Sequence, residues 1–255
     1  MARRVRLSLG LATLLAIGQG GIASPVSAAA GDLLPDLTMT PPYGLDLTTS
    51  PAGAKKLRFG SIVNNIGDGA MEIRASERDG KFMNNVRQWI YNTSGGGRSA
   101  AKPHAVVRYS SDGHNHFHVQ RFIKTKLTPI SAPGASGKRT LRKIGFCLVD
   151  SQKMTVDVPP NTPSSPRYFG CGTLQSKEIK IGISVGWGDN YPPYFAHQAI
   201  DVTGLPAGSY LLCAKVNPIG MWTEKTMANN SYWVQMNLDV ANDSLTVTGD
   251  GAGPC

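Results

Sequence analysis

Glycine and proline recur throughout this chain and divide it into short runs, and this punctuation limits the fold more than any other feature of the sequence. The runs between them are short, rich in β-branched and aromatic residues, and show little helical periodicity. Such spacing is typical of an all-β fold, mainly a β-sandwich with long loops and little helix. Because neither an internal repeat nor a shift in composition divides the chain, we expect a single domain.

Seven runs are predicted to be strands, because each is rich in strand-forming residues and bounded by turn-forming residues. They are residues 57–64, 89–91, 106–109, 116–127, 143–149, 210–216 and 232–240. Loops are predicted at 93–99, 133–138 and 158–166, and the tail 249–255 should be free unless Cys255 is held by a bridge.

The first thirty residues predict a secretory signal peptide. Basic residues 1–6 precede the apolar run 7–17, and small residues follow near positions 26–30. The mature chain would then be a secreted domain over residues 31–255. The apolar run falls short of the roughly 20 residues that cross a bilayer, and the mature chain contains no later candidate span.

The chain is basic, with 26 lysines and arginines against 17 acidic residues. Removal of the predicted signal takes away three arginines and leaves a formal charge of +6. A positive surface favours partners such as anionic cell-surface material, although the sign is equally compatible with simple solubility. No basic helix is interleaved with aromatic residues, so nucleic acid is not an expected partner.

All four cysteines lie in the part of the chain that would be exported: Cys147, Cys171, Cys213 and Cys255. Disulfides persist in an oxidising compartment, so two bridges are expected. The sequence leaves three pairings open, and no cysteine spacing is typical of a zinc knuckle or a redox pair.

Three of the five histidines, His114, His116 and His118, alternate with other residues in one short run. In a strand, this alternation places all three imidazoles on the same face. The outer two positions would be roughly 13 Å apart in a flat strand, so the side chains must converge to share an ion. Three neutral nitrogen ligands suit Cu(II) or Zn(II) and are poor ligands for magnesium or calcium. The alternative is a polar strand face that merely exposes its histidines.

The histidine run, Gly113-His-Asn-His-Phe-His-Val-Gln-Arg-Phe122, resembles the copper-binding segment of the lysyl oxidase family. Other segments match that family in the same order, over about residues 35–238. They are Leu57-Arg-Phe-Gly-Ser-Ile-Val-Asn-Asn-Ile-Gly-Asp68, Lys143-Ile-Gly-Phe-Cys-Leu-Val-Asp150, Phe169-Gly-Cys171, Gln198-Ala-Ile-Asp-Val-Thr203, Pro206-Ala-Gly-Ser-Tyr210, Val216-Asn-Pro218 and Asn229-Asn230. The resemblance implies that copper is the metal.

The resemblance also implies a cofactor made from the chain itself. The lysine and the tyrosine that this family joins into lysine tyrosylquinone fall on Lys143 and Tyr191. The implied activity is the oxidation of primary amines to aldehydes, with release of ammonia and hydrogen peroxide. The implied substrate is a lysine-containing protein or a small primary amine. Asp189, two residues before Tyr191, is a candidate general base.

The chain departs from the animal members of the family in its cysteines and in one acidic position. The family partners of Cys147 and Cys171 are replaced, at Lys153 and Gly113, which suggests pairing Cys147 with Cys171 and Cys213 with Cys255. Some relatives hold a structural calcium where this chain has Asp36, Glu224, Asn229 and Asn230. Thr226 replaces one expected carboxylate, so the resemblance leaves open either a weaker calcium site or none, with the two asparagines forming a hairpin turn.

Two other function classes compete with the oxidase. A secreted, non-catalytic β-sandwich that binds a metal or an adhesive partner would leave Lys143 and Tyr191 unmodified. A cupin-type metal enzyme would need an acidic ligand and a fourth histidine, and no residues at suitable spacing supply them.

Overall fold

A computed structural model describes residues 28–110, 114–141, 143 and 145–255. The predicted signal peptide lies outside the described residues, apart from residues 28–30. The described part forms nineteen strands and contains no helix. Consequently no helix among these residues could cross a membrane. All strand pairs are antiparallel, and the prediction of an all-β fold is confirmed.

The strands, in chain order, are β1 (Asp32–Leu33), β2 (Leu37–Met39), β3 (Tyr43–Thr49), β4 (Lys55–Asn65), β5 (Met71–Asp79), β6 (Phe82–Asn92), β7 (Gly97–Ala101), β8 (Val107–Tyr109), β9 (Phe117–Gln120), β10 (Ile123–Ser131), β11 (Arg139–Thr140), β12 (Gly145–Phe146), β13 (Gln152–Lys153), β14 (Ile179–Ile183), β15 (Trp187–Tyr191), β16 (Ala199–Asp201), β17 (Gly208–Val216), β18 (Ser231–Asp239) and β19 (Ser244–Ala252).

The strands form three sheets. An eight-stranded sheet has the order β12-β9-β8-β6-β5-β14, with β1 and β7 also paired to β6. A five-stranded sheet has the order β11-β10-β17-β18-β19. A six-stranded sheet has the order β13-β15-β4-β16, with β2 and β3 also paired to β4.

Strand β4 links the two buried clusters of the protein. Its first half contributes Leu57 and Phe59 to a cluster that includes Leu212 and Met236 of the five-stranded sheet. Its second half contributes Val63 to a larger cluster with the eight-stranded sheet. The alternation of buried and partly buried residues along β4 lets one strand serve these layers, as in a β-sandwich.

Several predicted boundaries are wrong. The strand predicted over residues 116–127 is divided into β9 and β10, because Arg121 adopts a positive φ of 60° between them. The strand predicted over 143–149 is reduced to the two residues of β12. The loop predicted at 93–99 includes the start of β7, and the tail predicted to begin at 249 belongs to β19 as far as Ala252.

Both suggested disulfides are present. Cys147 is bonded to Cys171, and Cys213 to Cys255. The second bridge ties the last residue of the chain to β17, so the tail is held at its end.

Candidate metal and cofactor site

The three predicted metal ligands converge. His114, His116 and His118 each offer a ring nitrogen, and these atoms lie within 4.8 Å of one another. The ring centroids are 4.6–5.5 Å apart, and the Nε2 atoms of His116 and His118 are 2.9 Å apart. Such a set of neutral nitrogens fits Cu(II) or Zn(II). Within the described residues, the cluster includes neither His104 nor His197.

The local backbone differs from the one that the alternation predicted. Only His118 lies in a strand, because β9 begins at Phe117. Asn115 has a positive φ of 52°, so the chain turns between His114 and His116. Asparagine accepts this conformation more readily than most residues. The turn shortens the distance that a flat strand would impose, and it brings the imidazoles together.

The backbone of the neighbouring strand β12, at Gly145, packs against His118, the last histidine of the set. Gly145 of β12 lies opposite Gln120 of β9. A Cβ atom at Gly145 would lie 2.9 Å from the Cβ and 3.0 Å from the Nδ1 of His118. The His118 side chain therefore packs directly against the β12 backbone, and its residue is only 4% exposed.

The predicted cofactor residues also lie together. The Nζ atom of Lys143 is 5.0 Å from the centre of the Tyr191 ring. Both residues are buried, with 7% and 4% of their surfaces exposed. Phe146 packs edge-on against Tyr191, with 5.2 Å between ring centroids, and lies 5.4 Å from Lys143 Nζ.

Strand β12 is shared by the histidines and by the lysine–tyrosine pair. Gly145 packs against His118, whereas the next residue, Phe146, packs against Tyr191. Tyr191 itself comes from β15, where it lies opposite Ser61 of β4. Two sheets thus contribute to one neighbourhood.

Asp189, the candidate base, reaches the phenol of Tyr191. The two residues lie two positions apart in β15, so their side chains are on the same face. The Tyr191 hydroxyl contacts a carboxylate oxygen of Asp189 and lies 3.0 Å from the carbonyl oxygen of Cys147, two acceptors for one proton. Asp189 is only 2% exposed.

Burial controls the protonation of this pair. Loss of solvent raises the pKa of Asp189 well above its usual value, although the Tyr191 hydrogen bond and the Lys143 charge act in the opposite direction. Burial, with the neighbouring Asp189 charge, raises the pKa of Tyr191 well above its usual value. Deprotonating either group is therefore costly, and the pair retains a proton at neutral pH.

The disulfide between Cys147 and Cys171 joins the two halves of the site. The backbone N–H of Phe117, beside His118, donates to the carbonyl oxygen of Cys171 at 3.0 Å. The carbonyl oxygen of Cys147 is an acceptor for Tyr191. A single covalent link thus fixes the start of the histidine strand relative to the tyrosine.

Two aromatic residues near the histidines were not predicted from the sequence. The Phe195 ring lies 6.1 Å from that of His114, and Tyr194 packs edge-on against Phe195 at 5.3 Å. Tyr194 is 77% exposed. Both follow two prolines in a loop, and nothing in that local sequence distinguishes them from ordinary loop aromatics.

The residues considered for calcium form a second polar cluster. Asn229 donates to the Asp36 carboxylate at 2.8 Å, and Asn230 donates to Glu224 at 2.8 Å. The side-chain oxygens of both asparagines are buried, and no group in the described part of the chain donates a hydrogen bond to them. Burial raises the pKa of Glu224, and the Asp36 charge raises it further. Thr226, in contrast, is exposed.

Comparison with known families gives one finding. The family model described as lysyl oxidase matches residues 77–248, well over half of the 255-residue chain. The matched segment contains the three histidines, Lys143 and Tyr191. A comparison with curated proteins gave no match.

Proposed function

Because the chain belongs to the lysyl oxidase family, we propose that it is a secreted, copper-dependent amine oxidase. It oxidises primary amines, with peptidyl lysine as the first candidate. Amine, dioxygen and water are converted to aldehyde, ammonia and hydrogen peroxide. Lysine tyrosylquinone, made from Lys143 and Tyr191, is the proposed cofactor. The observation that carries the proposal is the 5.0 Å distance between Lys143 Nζ and the Tyr191 ring.

The histidine cluster would hold the copper. His114, His116 and His118 supply three nitrogens close enough to share one ion. The chemistry that copper and the quinone supply is the transfer of electrons from the amine to dioxygen. Both disulfides fit export, because such bonds persist in an oxidising compartment.

The protein prepares Lys143 and Tyr191 for a covalent bond by holding them close in a dry site. Rotation about the flexible lysine side chain can bring Nζ to the edge of the ring. The ring itself cannot move far, since Phe146 packs against it and its hydroxyl faces Asp189 and the Cys147 carbonyl. The Tyr191 ring is thus a fixed acceptor, and the Lys143 amine is a nucleophile held nearby. Their reaction does not depend on a slow encounter between separate molecules in solution.

Asp189 is the residue that we propose for proton transfer. Its carboxylate already contacts the phenol oxygen of Tyr191, so it can accept the proton that this oxygen releases. Its raised pKa makes the Asp189 carboxylate a stronger base than an exposed carboxylate. Lys143 offsets part of the negative charge.

The aromatic pair beside His114 suits a lysine side chain as substrate. Lysine has a long aliphatic stem below its amine, and such stems pack along apolar surface while the charged end remains free. Phe195 and exposed Tyr194 provide this surface next to the metal ligands.

Turnover with a lysine-containing peptide tests the proposal. The copper-loaded protein should release equal amounts of aldehyde, ammonia and peroxide. Lys143→Ala and Tyr191→Phe should abolish the release, whereas Lys153→Ala, which changes an exposed lysine, should not. If all four proteins gave no product, the competing function, a non-catalytic metal-binding or adhesive module, would be favoured.

We also propose a structural calcium at Asp36, Glu224, Asn229 and Asn230. Within the described residues, nothing donates a hydrogen bond to the two buried amide oxygens. With the buried Asp36 carboxylate and the partly buried Glu224 carboxylate beside them, they fit a cation that prefers oxygen ligands. Calorimetric titration of the metal-free protein with calcium should show one site, and Asn229→Leu should remove it. No heat of binding in the unaltered protein would contradict this second proposal.

A further inference from the structure

The outer face of the five-stranded sheet carries an ordered set of polar groups. Alternate residues of β10, β17 and β18 point into the core, as Leu127, Leu212 and Val234 do. The intervening residues share the opposite, outer face. Their order across the strands is given by the register, in which Lys126 lies opposite Cys213 and Cys213 opposite Trp233.

One end of this outer face is cationic. Lys124 lies directly opposite Lys215 on the neighbouring strand, and Lys126 follows two residues after Lys124. Like charges placed directly opposite each other destabilise a sheet. Among the described residues, none of the three lysines forms an ion pair. The disulfide from Cys213 to Cys255 lies on the same face. The opposed lysines therefore cost stability, and no ion pair within the described part of the chain offsets that cost.

A flat aromatic ring lies beside the lysines. Trp233 of β18 packs on Gly251 of the adjacent edge strand β19, where a Cβ atom would come within 2.8 Å of the indole. Glycine at this position lets the indole lie against the strand backbone. Trp233 remains partly exposed.

The other end of the outer face is a groove lined mainly by uncharged hydrogen-bonding groups. The groove has a volume of about 440 Å³, and its polar lining includes Ser131, Ser209, Asn237, Ser244 and Thr246. The lining also contains the carboxylate of Asp239. This carboxylate accepts a hydrogen bond of 3.2 Å from the backbone N–H of Asn242 and one of 2.8 Å from its side-chain amide. Hydroxyl and amide groups can both donate and accept, as sugar hydroxyls do.

We propose that this outer face binds an acidic polysaccharide. The groove, the indole and the lysines follow one another along the strands, and the seven residues from Ser209 to Lys215 span roughly 20 Å. The groove can hydrogen-bond sugar hydroxyls, Trp233 can pack against a sugar ring, and the lysines can bind carboxylates. The face belongs to the five-stranded sheet, whereas Tyr191 belongs to the six-stranded sheet and Lys143 lies outside the strands. A bound polymer would therefore retain the protein without covering its proposed catalytic site.

A polymer of sugar rings fits the lysines, the indole and the polar groove of this face better than nucleic acid does. Single-stranded nucleic acid is bound by a continuous positive groove with several stacking aromatics. Here the cations occupy one end only, and the rest of the face offers mainly neutral polar groups beside a single indole and the Asp239 carboxylate. The proposal concerns binding alone and stands whether or not the chain is an oxidase.

Binding of the mature protein to polygalacturonate tests the proposal. Methyl-esterified polygalacturonate keeps the rings without the charges, and polyphosphate keeps the charges without the rings. We expect both to bind at least about tenfold more weakly than polygalacturonate, a difference of about 1.4 kcal/mol. Equal affinity for polyphosphate, or tighter binding of DNA through the same residues, would overturn the assignment to a polysaccharide.

Substitutions locate the site. The triple variant Lys124→Gln, Lys126→Gln and Lys215→Gln should bind polygalacturonate about tenfold more weakly. Trp233→Leu should weaken polygalacturonate binding and leave polyphosphate binding unchanged.

A matched triple variant controls for net charge. Lys153→Gln, Lys177→Gln and Lys180→Gln alter exposed lysines on other strands and loops, and should change the affinity less than twofold, or about 0.4 kcal/mol. Equal losses in the two triple variants, with unchanged thermal midpoints, would show a general charge effect and refute the proposed face. Unaltered binding by the first triple variant would refute it as well.

Discussion

The hydroxyl of Tyr191 is hydrogen-bonded to the carboxylate of Asp189, two residues earlier in the same strand. Both residues are buried, and their burial raises the pKa of both side chains. The hydrogen bond therefore keeps a proton between the two side chains and fixes the orientation of the Tyr191 ring.

Asp189→Asn should separate cofactor formation from folding and metal binding. Asparagine keeps the size of the side chain but removes a base, so the phenol loses its proton acceptor. We expect normal copper binding and at least about a hundredfold slower formation of the Lys143–Tyr191 link, within the usual range for loss of a general base. Time-resolved peptide mapping would measure this. Asp46→Asn, at an exposed position, should behave like the unaltered protein, and normal cross-linking in Asp189→Asn would exclude the proposed role.

Gly145→Ala should weaken the metal site. An added Cβ would meet His118 at 2.9–3.0 Å, so the imidazole must shift from its present position. Misplacing one ligand of three should lower copper affinity by about 10–100-fold, comparable to the loss of a supporting residue around a metal. Competition with a chromogenic chelator would measure the affinity. Gly170→Ala is the control, since a Cβ there meets nothing within 4 Å; equal affinity in both variants would contradict the packing argument.

The two disulfides should have different functions. Replacing Cys147 and Cys171 by alanine removes the link between Phe117 and Tyr191, so both stability and copper affinity should fall. Replacing Cys213 and Cys255 by alanine should cost about 2–5 kcal/mol of stability but leave copper affinity unchanged. Urea denaturation and copper titration of both variants would test this. Loss of copper affinity in the second variant would contradict the distinction.

Lys102 provides a pH-dependent prediction. Burial, helped by the nearby Arg98 charge, lowers the pKa of Lys102 to about 8 in the folded protein, below about 10.4 for an unfolded lysine. The folded state therefore binds this proton less tightly, and stability rises with pH between about 8 and 10.4. Lys102→Met should raise the thermal midpoint by ~2–4 °C at pH 7, with a smaller gain above pH 8. Lys177→Met, at an exposed position, should show no such trend, and a gain that grows with pH would be contrary to expectation.

The sequence predicted the all-β class and the long central strands well, because alternation along β4, β17 and β18 is regular. It did not predict β19, whose residues are exposed and glycine-rich and show no buried stripe. It also overextended the strand at residues 116–127, since the positive φ of Arg121 has no clear local signal.

The sequence named the residues of the candidate site, whose roles stay a prediction, but it did not give their geometry. The spacing of the histidines suggested one face of a strand, whereas the turn at Asn115 brings them together. The proximity of Lys143 to Tyr191 depends on the pairing of β9 with β12 and of β4 with β15, which is set by contacts distant in sequence. Family resemblance named the two residues, but no local pattern could have given their distance or the burial of Asp189.

The most direct test of the central claim is peptide mapping of the copper-loaded, aerated protein by mass spectrometry. The account predicts one cross-linked species that joins the peptide containing Lys143 to the peptide containing Tyr191, and its absence from protein kept free of copper. Recovery of the two peptides separately and unmodified, from protein shown to contain copper, would contradict the account.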